Sequence, residues 1–187
     1  MSRRRRLAPL VALFAVALVG LLIDRWTKYL ALTKLVDGRA RDLLGDWLQL
    51  RLLHNPGAAF STGTGMTVVF AVLAAVVLVV VLVFVVPRVQ SWLWAVIVGL
   101  GLAGVAGNLW DRLAQPPAPW RGYVVDFLSV KYFAVFNVAD IFLTTAAILI
   151  VLDAVWWHVD WRGRRSDRQP EASSSAGAAD PPIDPIS

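Results

Sequence analysis

No cysteine occurs among the 187 residues. That excludes a disulfide framework, a thiol nucleophile, a zinc–thiolate site, an iron–sulfur cluster and lipid attachment to a cysteine of the chain itself. Glutamate occurs once, at Glu171, and histidine twice, at His54 and His158. There is accordingly no His-Glu-x-x-His zinc motif. Ser61 lies near His54 but in no Gly-x-Ser-x-Gly elbow, which leaves a serine hydrolase unsupported and His54 with a structural or interfacial role. Charge is scarce as well, at 17% of residues, against about 25% in soluble domains. No internal repeat is present.

What fills the chain is apolar. Hydrophobic residues make up 58%, and the mean hydropathy is +0.63. A formal net charge of +5 would point to nucleic acid in a soluble protein. Here the basic residues sit at the ends of apolar runs, the membrane pattern, so no nucleic-acid partner is expected. A membrane helix needs about 20 predominantly apolar residues. Four runs approach or meet that length: residues 7–23, 68–86, 91–110 and 132–152. The second is rich in valine, but its length and lack of turn residues favour a helix over strands. The first follows Arg3 to Arg6 and carries Ala15-Val16-Ala17, which resembles a signal-peptide cleavage site. Its apolar run continues to Ile23, so an uncleaved first helix is expected. Arg3, Arg4, Arg5 and Arg6, then Arg88 beside Pro87, then Arg162, Arg164, Arg165 and Arg168 all fall on one side. By the positive-inside rule that side is cytoplasmic. Both termini are expected inside, and two longer loops, about residues 33–65 and 115–131, outside. The nine tryptophans lie mostly at the boundaries, as an aromatic belt would place them.

The outer loops hold β signals. Residues 47–52 alternate with period two and read as a half-buried strand. Residues 122–127 form a second β-prone stretch after the breaker run Pro116-Pro117-Ala118-Pro119. The expected organisation is a membrane domain over residues 1–160 and a disordered cytoplasmic tail, rich in Ser, Ala, Pro and Asp, over residues 161–187.

Ionisable residues inside membrane spans cost about 2.5–3.5 kcal/mol each on insertion scales and are functional candidates by default. Asp24-Arg25-Trp26-Thr27-Lys28 stands at the outer end of helix one, with Asp24 and Lys28 on one face. It reads as an interfacial anchor or as a brace for a site. Asn55-Pro56-Gly57-Ala58-Ala59-Phe60-Ser61 allows close backbone approach, or is a plain turn. Gly104 to Arg112 combines small residues suited to helix packing in lipid with Asn108 and Arg112 on one face. Asp111 is expected to pair with Arg112 or to cap locally. Arg112 snorkels to the interface or orients a carboxylate, and as a fixed cation should hold a nearby aspartate's pKa down. Asp126 lies between Val125 and Phe127, just before helix four. Asn137 and Asp140 are three apart in the first turns of that helix.

Asp126 and Asp140 thus sit near the same membrane boundary, one on a loop and one on a helix. Two close carboxylates in a low-dielectric site do not both ionise easily. One keeps a proton while the other acts as base, an arrangement that activates water against a peptide carbonyl. A transporter or channel subunit would also bury Asp140 and Arg112, but it needs polar residues at several depths, whereas these gather near one face. A structural assembly factor leaves the Asp126/Asp140 pair unexplained.

The clusters in order, Asp24-x-x-Thr27-Lys28, Asn55-x-Gly57-Ala58-Ala59-Phe60, Gly107-Asn108-x-x-Asp111-Arg112, Val125-Asp126-Phe127 and Phe136-Asn137-x-Ala139-Asp140, resemble the motif series of the lipoprotein signal peptidases, the type II signal peptidases of bacteria. The likeness covers roughly residues 7–157. One departure is Ala103-Gly104, where the family often has Gly-Gly. The resemblance implies an all-α membrane protein: four transmembrane helices with a small extracytoplasmic β-cradle between helices 1 and 2 and before helix 4. It implies an aspartic endopeptidase of the bacterial cell membrane that cuts diacylglyceryl-modified prolipoproteins before the lipidated cysteine. Asp126 and Asp140 map onto the catalytic pair. Asn55, Gly57, Asn108, Arg112 and Asn137 map onto substrate-binding or supporting positions, and Asp24 and Lys28 onto a supporting pair. No cofactor or metal is implied. Partners would be the prolipoprotein substrates, membrane lipid and globomycin-type inhibitors, and a single copy is the expected working form.

Overall fold

The computed structural model describes residues 3–57, 66–157 and 160. Among the described residues four helices are long and apolar enough to cross a membrane: Leu7–Lys34, Met66–Arg88, Trp92–Ala114 and Val138–Trp156. They belong to α1 (Arg3–Lys34), α2 (Met66–Val80), α3 (Trp92–Ala114) and α4 (Val138–Leu152). α2 runs on through a π-helical turn, Val81–Val85, and a 3-10 turn, Val86–Arg88, where Pro87 has no N–H to continue it. α4 runs on through a second π-helical turn, Asp153–Trp157. Four strands, β1 (Arg41–Leu44), β2 (Leu48–Asn55), β3 (Val124–Val130) and β4 (Val135–Phe136), form one antiparallel sheet in the order β1-β2-β3-β4. The described residues therefore form four membrane-length helices plus a sheet, and an all-α label leaves the sheet out.

α3 is the central helix, packed against α1, α2 and α4. Its small residues permit that. A Cβ at Gly104 would lie 2.6 Å from the backbone oxygen of Ala139 in α4. Ser91 caps α3, its Oγ accepting the Trp94 N–H at 3.1 Å; such a cap contributes about 1 kcal/mol. By contrast α2 buries only Thr67 and Ala71 among its helical residues, leaving most of its valines exposed. A strand-prone composition yields a helix here because a lipid-facing backbone must satisfy its own hydrogen bonds.

α1 itself carries Asp24 to Lys28 toward its C-terminal end, as expected, and stops close to the expected start of the first long loop. It continues to Lys34 because Ala31 and Leu35, one turn apart, pack on Val125 and Phe127 of the sheet. The 28 residues of this span would extend ~42 Å at ~1.5 Å per residue, beyond a ~30 Å hydrocarbon core. Two boundaries differ from expectation. First, the apolar run 132–152 is not one helix. Tyr132 takes a positive φ of 61° in the β3–β4 turn, β4 follows, and α4 begins only at Val138. Last, the half-buried stretch 47–52 overlaps the first part of an eight-residue β2, which begins at Leu48 and runs on to Asn55, and β1 and β4 join the two expected strands. In β3, Val124 to Phe127 are all buried, since that strand lies between β2 and β4 and against α1. Ala58, Ala59, Phe60 and Ser61, His158, Trp161, the basic residues Arg162 to Arg168 and the 161–187 tail lie outside the described residues.

Candidate active site

The polar clusters converge where the sheet meets the ends of α1, α3 and α4. β2 and β3 pair with His54 opposite Val125 and Leu53 opposite Asp126. This brings Asn55, at the end of β2, beside the Asp126 carboxylate. Asn55 Nδ2 donates to Asp126 Oδ2 at 2.8 Å, and its Oδ1 accepts the Gly57 N–H at 2.9 Å. Gly57 has φ of +94°, and a Cβ there would lie 2.9 Å from the Phe70 ring. Glycine thus fits both the turn and its close approach to α2.

Asn137 joins the two candidate carboxylates. Its Nδ2 donates to Asp126 Oδ1 at 2.6 Å and to Asn108 Oδ1 at 3.2 Å. Its Oδ1 accepts the Asp140 N–H at 3.1 Å, and Asp140 Oδ2 accepts the Asn137 N–H at 3.2 Å. Asn137 is thus the N-cap of α4 and Asp140 its third residue, a capping box rather than a polar pair inside a span. Asn108 Nδ2 completes the set, donating to Asp140 Oδ1 at 2.7 Å. Both oxygens of both carboxylates hold an N–H donor.

Asp126 is 1% exposed. Burial, together with the charge of Asp140, pushes its carboxyl up to about 6, against the opposing pull of the Asn55 and Asn137 donors and of Lys28. The expected lowering of a carboxyl by Arg112 does not describe Asp126, where burial dominates. Arg112 Nη1 donates to the Asn108 carbonyl at 3.1 Å, and the guanidinium lies 5.9 Å from the Phe70 ring centre. Among the described residues its Nε is buried without a hydrogen-bond partner.

Beneath these groups lies a buried ion cluster. Lys28, Asp24 and Asp111 have fully buried side chains. Lys28 Nζ is 3.0 Å from Asp24 Oδ2 and 2.8 Å from Asp111 Oδ2, and donates to Asn108 Oδ1 at 3.1 Å. Arg25 pairs with the other oxygen of Asp111. Asp111 therefore bonds to α1 rather than to Arg112 or to its own helix end. Neighbours in sequence do not reveal this pairing. The signal that does is charge balance: Asp24 and Asp111 against Arg25 and Lys28, near the same end of two packed helices. Gly107 does more than let helices pack. A Cβ there would stand 2.5 Å from Asp24 Oδ2, so it clears the space that the carboxylate occupies.

His54 stacks edge-on to Tyr123, ring centres 6.3 Å apart, and bonds to no candidate carboxylate. Among the described residues no three His, Cys, Asp or Glu side chains gather as a metal would require. An apolar pocket of about 420 Å³ is lined by Phe133, Ala134, Phe136, Ile141, Thr144 and Thr145, with Asp140 also in its wall.

Residues 16–156 match the family model described as signal peptidase (SPase) II. A lipoprotein signal peptidase of Streptomyces griseus is 43% identical over 143 residues, 76% of this chain and 72% of that one. A lipoprotein signal peptidase of Mycolicibacterium smegmatis is 42% identical over 180 residues, 96% of this chain and 74% of that one. Among solved structures, a bacterial membrane enzyme determined by the in meso method at 1.9 Å is similar, with a TM-score of 0.68 and 27% identity over 77% of this chain and 92% of that chain.

Proposed function

The chain belongs to the signal peptidase II family and is a multi-pass membrane peptidase, and on that premise we propose that Asp126 and Asp140 form the dyad that hydrolyses its peptide bond. Family membership supports removal of signal peptides from lipoproteins. The finer reading is that the substrate carries diacylglycerol on the lipobox cysteine and is cut just before it.

The observation that carries the dyad is Asn137, which bonds to the Asp126 carboxylate and caps the helix turn that carries Asp140. In the proposed reaction the two carboxyls share one proton. The ionised one takes a proton from water as the water oxygen attacks the scissile carbonyl carbon. The protonated one gives its proton to the carbonyl oxygen. When the C–N bond breaks, the proton taken from water passes to the leaving nitrogen, and one hydroxyl of the tetrahedral intermediate returns its proton to the other carboxylate, which leaves a carboxylic acid and an amine and restores the shared proton. Arg112 and Asn108 would orient the two carboxylates and the substrate backbone rather than exchange protons, Asn108 through its N–H to Asp140. The pocket that has Asp140 in its wall is otherwise lined mainly by apolar side chains, which suits a lipid-modified chain.

The face follows from charge. With Arg88 and the basic ends of the chain inside, the sheet and both carboxylates lie at the extracytoplasmic face, where exported substrates arrive. Reporter fusions in the 115–131 loop and after residue 165 should therefore read opposite sides. The purified protein should cut a prolipoprotein bearing diacylglycerol and leave the unmodified precursor whole. Equal cleavage of both would overturn the substrate reading.

A further inference from the structure

Each buried anion of the ion cluster accepts the backbone N–H of the residue just before a site aspartate. Asp111 Oδ2 accepts the Val125 N–H at 3.1 Å, one residue before Asp126. Asp24 Oδ1 accepts the Ala139 N–H at 3.0 Å, one residue before Asp140. Lys28 Nζ lies between the two anions, 2.8 Å from Asp111 and 3.0 Å from Asp24. A continuous path therefore runs from the Val125 amide through Asp111, Lys28 and Asp24 to the Ala139 amide. It joins the strand that carries Asp126 to the helix that carries Asp140. We propose that the Asp24–Lys28–Asp111 triad is a spacer that fixes the separation of the two carboxylates, and that its three members are positioning residues. This rests on the dyad reading above.

Three physical points support the spacer. Ala139 lies in the first turn of α4, where N–H groups have no helical carbonyl to bond, so Asp24 supplies the missing acceptor at the helix end that favours an anion. Val125 and Ala139 are both fully buried, so water offers neither amide a substitute. And a buried ion pair stabilises a fold little better than apolar residues of the same volume. What apolar packing does not supply is a chain of oppositely charged groups held at ion-pair distance and ending in an amide hydrogen bond at each side. Gly107 fits the same design, because any side chain there would push the Asp24 carboxylate along that path. Lys28 also donates to Asn108, whose amide then presents its N–H to Asp140.

Two variants each remove one hydrogen bond and keep every side chain. Replacing Val125, or separately Ala139, by its α-hydroxy analogue turns the amide into an ester, which deletes the N–H and leaves the preceding carbonyl a weaker acceptor. A third variant, Asp111→Glu, keeps the cluster's charge but lengthens one arm. With a diacylglyceryl-modified prolipoprotein, each should lower kcat at least about 10-fold while KM stays within about threefold, since small misplacements of reacting groups act on the chemical step. The two limbs of the pH–kcat profile should also change their spacing, because they report the coupling of the two carboxyls. Infrared titration of the carboxyls, which does not depend on turnover, should show the same change. Wild-type kcat and an unmoved pH profile in the ester proteins would overturn the spacer, as would a rise in KM alone. If the wild-type protein cuts the substrate and Asp126→Asn does not, such a result removes the spacer and leaves the dyad. If Asp126→Asn cuts at the wild-type rate, it is the dyad reading that fails.

Discussion

The Asn137 side chain accepts the Asp140 backbone N–H at 3.1 Å, and the Asp140 carboxylate accepts the Asn137 backbone N–H at 3.2 Å. The bonds that start α4 therefore also aim one candidate catalytic carboxylate. Asn137 has a second duty, since its Nδ2 donates to Asp126. The two duties can be separated by substitution.

Asn137→Ser keeps a good N-cap, because serine oxygen accepts the same N–H. It removes the donor that reaches Asp126. The cap is kept, but buried Asp126 Oδ1 loses its donor, so stability should fall by about 1–3 kcal/mol. The cleavage rate should fall about 10²-fold, the scale of lost general acid–base function. A thermal-unfolding series beside a cleavage assay measures both.

Asn55 donates to Asp126 Oδ2 and favours its charged form. In Asn55→Ala that support is gone, so the Asp126 carboxyl should titrate above its value of about 6. The limb of the kcat/KM profile that belongs to Asp126 should move to higher pH. A limb that stays in place or moves down would contradict the assignment of that bond.

Asp126 also links stability to pH. An unfolded aspartate loses its proton near 3.8, whereas in the fold Asp126 holds it to about 6. Between those values unfolding releases a proton, so stability falls as pH rises through the window and levels above it. The stability lost at neutral pH is on the order of 3 kcal/mol. Asp126→Asn does not titrate. The difference in unfolding temperature between variant and wild type should therefore shift in the variant's favour from pH 4 to pH 7.

Arg112→Lys separates orientation from anchoring. Lysine keeps the charge on a long stem but loses the planar fork, including the buried Nε. The variant should insert normally and cleave at least about 10-fold more slowly, because a flexible ammonium does not hold a substrate backbone as a guanidinium does. Cleavage near the wild-type rate would leave Arg112 as an interfacial anchor.

Much of this was legible in the sequence where hydropathy or spacing carries it. The four spans follow from apolar length alone, and β2 from the alternation of residues 47–52. Asp140 stood out as a charge within an apolar run. Contacts between distant segments were not legible. Nothing local to Asp111 points to Lys28, which is 83 positions away and bonded to it only because α1 and α3 pack closely. The start of α4 was hidden because Tyr132 to Phe136 are as apolar as the helix that follows. Only the capping geometry of Asn137 marks the boundary. β1, fully exposed and without alternation, has no periodic signal to read.

The dyad is tested most directly by cleavage of a diacylglyceryl-modified prolipoprotein with purified wild type, Asp126→Asn and Asp140→Asn side by side. Each substitution keeps the size of the side chain and removes its ability to hold or take the shared proton. Both variants should insert and fold, and both should lose at least about 10²-fold in rate. Near-normal turnover by either one would show that the bond is cut without that carboxylate.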